Sequence, residues 1–511
     1  MVRRAALLFA GLALLHTWPL ASAPARVSLN HNSDAELNAW ILSWVARTLP
    51  ADPARLFDGN VFAPERGTLA YSEPLVVPAL IGAPVRWLGG SAVLTFNLVL
   101  LAGLTLTALS GWWVAWKWTG SNGAALVAGA LLAFNEHLLT RLPHTAASHL
   151  WGLPLALYFA DRLVERPNRR DGVLLALVVA AVAATSVYTL ALAGVIVAVV
   201  LASGIVAGRW RGPAALAASA IAGLALAAPV LVPYVRFAAA GATRPIEIVA
   251  QFAATPSAYV TSMSRLHAGW SAPFFRDEVN VFFAGFVALV LAAIGLGAAV
   301  RDPARRRRAL VLASIAAVGV ALSFGPNTPF YAWLYDHVPP LRGIRAPARF
   351  GYLYLMAVAL LAGFGLAWLL ARVRTSRWVP AAAALALVTA EAAHAPIRTE
   401  PFAGAPPIYS LLSGIDAPVL LVEVPFWPPD VMHENAEYVL NATARWRPVM
   451  NGYSGFARGP WKRCGVRAPR TSWCTSSGST TTSAARWPRT SRAVAISGSS
   501  PPTPPGIGCT N

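Results

Sequence analysis

The sequence predicts an all-α polytopic membrane bundle of about eleven spans, followed by the start of an α/β domain outside the membrane that is cut short. Three observations predict it. The 511 residues are 56% hydrophobic and only 12% charged, too little polar surface to cover soluble cores of that size. Apolar runs long enough to cross ~30 Å of hydrocarbon recur along the chain. Arginines gather in the short links between those runs, at Arg3–Arg4, Arg162 to Arg170, Arg209–Arg211, Arg301 with Arg305–Arg308, and Arg372 to Arg377, as they do in cytoplasmic loops of bacterial-type membrane proteins.

Hydrophobic windows place the spans near residues 5–22, 91–115, 122–136, 150–166, 173–187, 189–207, 214–236, 279–300, 309–324, 350–371 and 378–395. With Arg3–Arg4 inside, alternation puts each arginine cluster inside as well. The long links 23–90, 137–149, 237–278 and 325–349, and everything after 395, then fall outside. The formal charge of +19 is thereby accounted for without a nucleic-acid partner. Lysine is nearly absent while Ala, Arg, Gly, Pro and Val abound, a GC-rich usage that points to a bacterial inner membrane. The first segment has two readings. It is a retained span, or its basic start, apolar stretch and "ASAPA" (Ala21–Ala25) form a cleaved secretory signal. Eight of the nine histidines, all but His16, and most acids lie on the outer side, so any chemistry is expected there.

The first outer link opens with "NHNSDAELNAW" (Asn30–Trp40). Its structural reading is an amphipathic helix on the outer leaflet. Ser33 and Glu36 would form a capping box, Asp34 would complement the helix dipole, and Leu37, Trp40, Ile41, Trp44, Val45 and Leu49 would make an apolar stripe with tryptophans at headgroup level. That account uses Glu36 but not Asp34. A first-turn carboxylate beside a lipid-borne substrate can accept a proton from a sugar hydroxyl or orient an attacking group.

The early Asp in a long outer loop is joined by "LFDGNVFAPERGTLAYSEPL" (Leu56–Leu75), "RLPHTAASHLWGLPLALY" (Arg141–Tyr158) and "LRGIRAPARFGYL" (Leu341–Leu353). Over roughly residues 1–400 this set resembles the GT-C glycosyltransferases, integral membrane enzymes that use polyprenyl-phosphate-linked sugars as donors. "VEVPFWPPD" and "NGYSGF" (Asn451–Phe456) are similar to uncharacterised bacterial members with a C-terminal outer domain. The resemblance implies a GT-C-like fold, a lipid-linked sugar donor, an envelope glycan, lipid or protein as acceptor, and Asp34 as the first-loop catalytic acid. "NSDAE" lacks the tandem Asp-Glu of the protein mannosyltransferases, so Glu36 is given no catalytic part.

Further candidates stand on the outer side. Arg345 and Arg349 in "IRAPARF" read either as interfacial anchors or as a clamp for a lipid phosphate leaving group. Glu73, Glu136, His144 and His149 complete an outer-face polar set. Imidazole and carboxylate ligands would admit a divalent ion, but the spacing matches no zinc pattern and no metal ligands are assigned. His267 has no assigned role. Glu391, in the last span, reads as a snorkelling or capping acid.

Residues 461–511 contain no Asp, Glu, Leu, Phe or Tyr, yet hold all three cysteines. They read as a low-complexity tail or, preferably, as the product of a frameshift, so the cysteines carry no disulfide or metal inference. The domains expected are therefore 1–395 in the membrane, 396–460 beginning an outer domain, and 461–511 out of frame. "APVLLVEVPF" (Ala417–Phe426) is expected as a buried strand. The function expected is sugar transfer from a polyprenyl-phosphate donor on the extracytoplasmic face. A transporter or lipid flippase is the rival, and a non-catalytic envelope scaffold the third reading. Coupled transporters place ionisable groups near the midplane, whereas these spans hold little beyond His16 and Glu391.

Overall fold

A computed structural model of the chain describes residues 1–29, 32–275, 280–374, 376–414, 419–427, 429–456 and 492–497. Asn30 and His31, and the tail apart from 492–497, lie outside the described residues, as do its three cysteines.

The helices are α1 (Val2–His16), α2 (Ser33–Ala51), α3 (Val76–Trp87), α4 (Ala92–Thr119) and α5 (Asn122–Ala133), then the single turns α6 (Glu136–Leu139) and α7 (Thr145–Ser148). There follow α8 (Gly152–Glu165), α9 (Arg169–Thr185), α10 (Val187–Val206), α11 (Arg211–Leu226), α12 (Ala228–Ala239), α13 (Ile246–Gln251) and α14 (Ala268–Ser271). The set ends with α15 (Phe286–Arg301), α16 (Pro303–Ser323), α17 (Pro329–His337), α18 (Gly351–Leu370), α19 (Trp378–Glu391) and α20 (Ala436–Asn441). Among the described residues three helices are long and apolar enough to cross a membrane, namely α4, α10 and α18 with its preceding turn. The run 214–236, expected as one span, is instead broken between α11 and α12 by a 79° bend. Pro229, near the start of α12, has no N–H to continue the ladder. Leu7, Leu177, Ile221, Val290 and Leu387 stand exposed around the bundle, an arrangement suited to lipid rather than water. The protein is thus a helical membrane protein.

Local signals explain the element ends. Ser91 caps α4 by accepting from the Leu94 N–H at 3.0 Å, and Gly120 ends it with φ of 69°, the left-handed cap that glycine adopts without strain. α15 and α18 cross closely because Gly295 and Gly365 face each other's helix. A Cβ on either would collide with the carbonyl of Leu361 or Leu291, the small-residue contact common between membrane helices.

The bundle has two chemically distinct ends. At one, Asp161 and Glu165 near the end of α8 pair with Arg307 and Arg308 at the start of α16. Arg162 pairs with Asp171 at 2.7 Å nearby. We refer to this as the Asp161 end. The other, the Asp34 end, carries the long links.

The strands are short. β1 (Val27–Ser28) pairs antiparallel with β2 (Glu400–Pro401), with Val27 opposite Pro401. β3 (Val419–Val424) lies within the segment expected as a buried strand and pairs antiparallel with β4 (Arg492–Ser497), Leu421 opposite Ala495. Leu421 also bridges Val449 in parallel. Residues 442–451 thread back over the first long link: Asn60 donates to the Ala442 and Arg447 carbonyls, and Phe62 and Ala63 donate to the carbonyls of Asn451 and Val449.

α2 differs from its expectation in two respects. Its cap is Asn32, whose Oδ1 accepts from the N–H groups of Asp34 and Ala35 at 3.0 and 3.4 Å. Asn caps as well as Ser, and it stands one residue earlier. The helix is also not laid on the leaflet with its tryptophans among headgroups. Trp40 is 1% exposed and donates to Asn60 Oδ1 at 2.9 Å. Trp44 donates to the Leu56 carbonyl at 2.8 Å, and Trp446 packs on its ring at 5.9 Å. The indole N–H groups find partners within the protein, so the helix is enclosed between the bundle and the chain returning over it.

Candidate active site

Asp34 sits in the first turn of α2, with its side chain 35% exposed. The cap made by Asn32 frees its carboxylate from capping duty. Asn38, one turn on, donates to both the Asp34 and Pro143 carbonyls at 2.6 and 3.1 Å. That bond ties α2 to the link carrying His144. The Asp34 Oδ1 accepts from the Tyr453 hydroxyl at 3.0 Å, and Oδ2 lies 3.7 Å from His144 Nε2. Burial pushes the His144 imidazole down to about 4 against the opposing pull of Asp34, with Arg349, Arg141 and Arg345 reinforcing the fall. Burial first, then the Asp34 charge, holds the Tyr453 hydroxyl well above the ordinary phenol range, so it remains a donor.

Cations surround this acid. Arg141 and Arg349 lie within electrostatic reach of Asp34, and Arg345 lies near His144 and Arg244. Tyr188, in the first turn of α10, organises the pair expected as a phosphate clamp. Its hydroxyl accepts from the Arg345 and Ala346 N–H groups at 3.0 and 3.2 Å, and its ring lies 3.9 Å beneath the Arg349 guanidinium. Arg345 stacks on Phe252 at 4.1 Å. Arg349 Nη1 also lies 3.4 Å from Glu73 Oε1, while Glu73 Oε2 accepts from the Val187 N–H at 3.2 Å. Burial pushes the Glu73 carboxyl up and Arg349 opposes it. Four guanidiniums (Arg141, Arg244, Arg345, Arg349) thus face two carboxylates (Asp34, Glu73), an excess of two positive charges. Such a cluster favours a phosphate-bearing ligand.

The segment "NGYSGF" completes the site, and five of its six residues make the contacts that do so. Asn451 is buried and exchanges hydrogen bonds with the Glu423 backbone at 2.8 and 3.0 Å. Gly452 passes the Phe62 ring, which would stand 2.5 Å from a Cβ there. Tyr453 reaches Asp34. The Gly455 carbonyl accepts from Arg244, whose guanidinium lies 3.3 Å above the Phe456 ring.

Asp34, Glu73, His144, Arg345 and Arg349 are therefore brought together; Glu136 and His149 are not among them. Glu136 accepts from the Ser262 hydroxyl and the Met263 and Ser264 N–H groups, fixing the link after α13. His149 is 2% exposed, with Nε2 at 3.1 Å from the Val99 carbonyl and its ring filling the space opened by Gly103. Glu391 caps α15 by accepting from the Phe286 and Val287 N–H groups at 2.9 and 3.1 Å. His267 accepts from Trp270 at 3.0 Å and faces Glu391 at 3.4 Å. Arg141, Arg244, Tyr188 and Tyr453 join the site beyond the residues singled out in the sequence. Arg141 had a signal, three residues before His144; nothing local joins Tyr453 to a carboxylate 419 positions away. Among the described residues no three His, Cys, Asp or Glu side chains converge to hold a metal ion. Among the described residues, Asp34 and His144 bring two such groups together.

No protein-family model matches the chain, and no curated protein matches it in sequence. Among solved structures, it is similar to the cryo-EM structure of the arabinofuranosyltransferase AftD from Mycobacteria, with a TM-score of 0.50 and 18% identity. The match covers 82% of this chain and 29% of that one, so the chain spans under a third of the length of that protein. What the two share is a GT-C-like fold.

Proposed function

We propose that the protein is a membrane glycosyltransferase that moves a sugar from a polyprenyl-phosphate donor to an envelope acceptor on the extracytoplasmic face. The observation that carries this reading is the meeting of one partly exposed carboxylate, Asp34, with Arg141, Arg345 and Arg349 at one end of the bundle. The GT-C-like fold supports it. In this reading α1, α4, α5, α8, α9, α10, α11 with α12, α15, α16, α18 and α19 are the spans, and the Asp34 end faces outward. Reporter fusions after Arg170 and Arg308 should then report cytoplasm, and fusions after Glu73 and Arg265 the exterior. Both outer fusions reporting cytoplasm would reverse the assignment.

The chemistry follows from the charges. The acceptor hydroxyl oxygen attacks the anomeric carbon while Asp34 takes its proton. The bond from that carbon to the phosphate oxygen breaks, and its electron pair leaves with the lipid phosphate. Arg345 and Arg349 stabilise the charge developing there, with Arg141 and Arg244 adding to the field. In this reading the partly exposed Asp34 lies at the bundle end where lipid-borne donor and water-borne acceptor can meet, which favours transfer over transport. The test is sugar transfer in membranes supplied with polyprenyl-phosphate-linked pentoses and hexoses, comparing wild type with Asp34→Asn. Activity lost in the variant supports the reading, and activity retained opposes it.

Tyr453 is proposed to position Asp34. A hydrogen bond to a charged group contributes about 1.5–3 kcal/mol, so Tyr453→Phe should lower kcat roughly tenfold or more. The KM for the donor should change little, and the thermal unfolding temperature should fall by no more than the loss of that one hydrogen bond implies. A wild-type kcat in this variant would remove the residue from the site.

A further inference from the structure

A second polar cleft lies at the Asp161 end, between α15, α16 and α18. It is an open cleft of about 260 Å³ lined by Ala298, Ala299, Phe364 and Trp368 together with Arg301 and Arg305. Arg372 extends the basic rim, its guanidinium stacked 3.4 Å over the Trp368 ring. Asp302 is the acid among them. One of its oxygens caps α16 through the Ala304 N–H at 3.0 Å, and the other lies 3.5 Å from Arg305. Three guanidiniums against one carboxylate leave the cleft with an excess of two positive charges. Arg301 donates to the Gly297 carbonyl and Arg372 to the Trp368 carbonyl. Each guanidinium carries five N–H groups, so donors remain for an anion.

We propose that this cleft binds the headgroup phosphate of an anionic phospholipid in the leaflet at the Asp161 end. Two features select a lipid over a free phosphate. Beside its charged residues the cleft is lined by aromatic and small apolar side chains. In addition, Phe286, Val290, Ala293, Gly297 and Arg301 follow one another at helical spacing along α15, with Phe286 and Val290 52% and 59% exposed. This stripe offers acyl chains a track that leads directly to Arg301. Basic pockets between membrane helices at the headgroup level hold anionic lipids by the same combination, and arginine recognises phosphate through paired N–H groups.

The test is retention of phosphatidylglycerol by the full-length protein, read by native mass spectrometry after equilibration with phosphatidylcholine vesicles with or without phosphatidylglycerol. The wild type should retain phosphatidylglycerol selectively. Arg301→Gln/Arg305→Gln should lose that affinity roughly 30-fold, the effect of removing two cations from an anionic headgroup. Ala298→Leu keeps every arginine but fills the cleft, and should also lose the lipid; it decides the matter should the double variant fail to fold. Equal retention of phosphatidylcholine, protection by inorganic phosphate alone, or wild-type retention by Ala298→Leu would each overturn the proposal.

Discussion

Replacing Asp34 by Asn is expected to stop sugar transfer while leaving the folded protein in place. A general base contributes roughly two to four orders of magnitude in rate, so the residual activity should be hard to detect. The fold has little reason to respond. The α2 cap is held by Asn32 rather than by Asp34, and the charge–dipole term lost from an exposed first turn is only ~0.3–1 kcal/mol. The amide oxygen of the new side chain can still accept from Tyr453. Thermal unfolding in detergent should therefore move little, and membrane insertion not at all. Near-normal transfer by this variant would return Asp34 to a purely structural role. A loss of transfer that tracks a loss of folded protein would do the same.

Glu36→Gln is the matched control. It removes a carboxylate two positions away on the same helix. Transfer should stay near the wild-type level at matched expression. If both variants lose activity, Glu36 shares the chemistry and the assignment to Asp34 alone is wrong.

How far the site was legible depends on how local its signals are. Asp34, Arg345, Arg349, His144 and Glu73 stand in polar links at the ends of apolar runs, where a charge has no packing task to explain it. Each could be singled out from its immediate neighbours. Tyr453 could not, because its partner is supplied by a return of the chain across hundreds of residues. The same return misled the reading of α2. An apolar stripe does not say whether lipid or protein covers it. Here α3, α4 and α20 pack against α2, and Trp446 lies on the Trp44 ring. Glu136 and His149 show the converse failure. Both are polar residues in a polar-looking link, yet hydrogen bonds to Ser262 and contact with Gly103 give them work in holding the fold. Composition made the membrane class plain, while the 79° break between α11 and α12 depended on one proline whose effect a hydropathy window averages away.

Arg349→Gln should lower transfer roughly 10²–10³-fold, the loss seen when one preorganised donor to a developing oxyanion is removed. Arg349 also faces Glu73 at 3.4 Å, so a second consequence must be separated from the first. Burial already pushes the Glu73 carboxyl up, and Arg349 is the first force opposing that rise. Without the guanidinium the folded-state pKa of Glu73 climbs further above its unfolded value. The folded protein then binds a proton more readily than the unfolded chain, so the variant loses stability as pH rises through that window and regains it as pH falls. The destabilisation relative to wild type should accordingly grow from acidic toward neutral pH. Because a buried carboxyl can neutralise itself instead of carrying an unpaired charge, the cost should stay near or below the ~3–5 kcal/mol typical of broken buried pairs. Adding Glu73→Gln removes the titrating group. The double variant should recover most of the lost stability, show no such pH dependence, and still fail to transfer sugar. Recovery of transfer along with stability would mean that Arg349 serves only to neutralise Glu73, and that the leaving phosphate is stabilised by other groups.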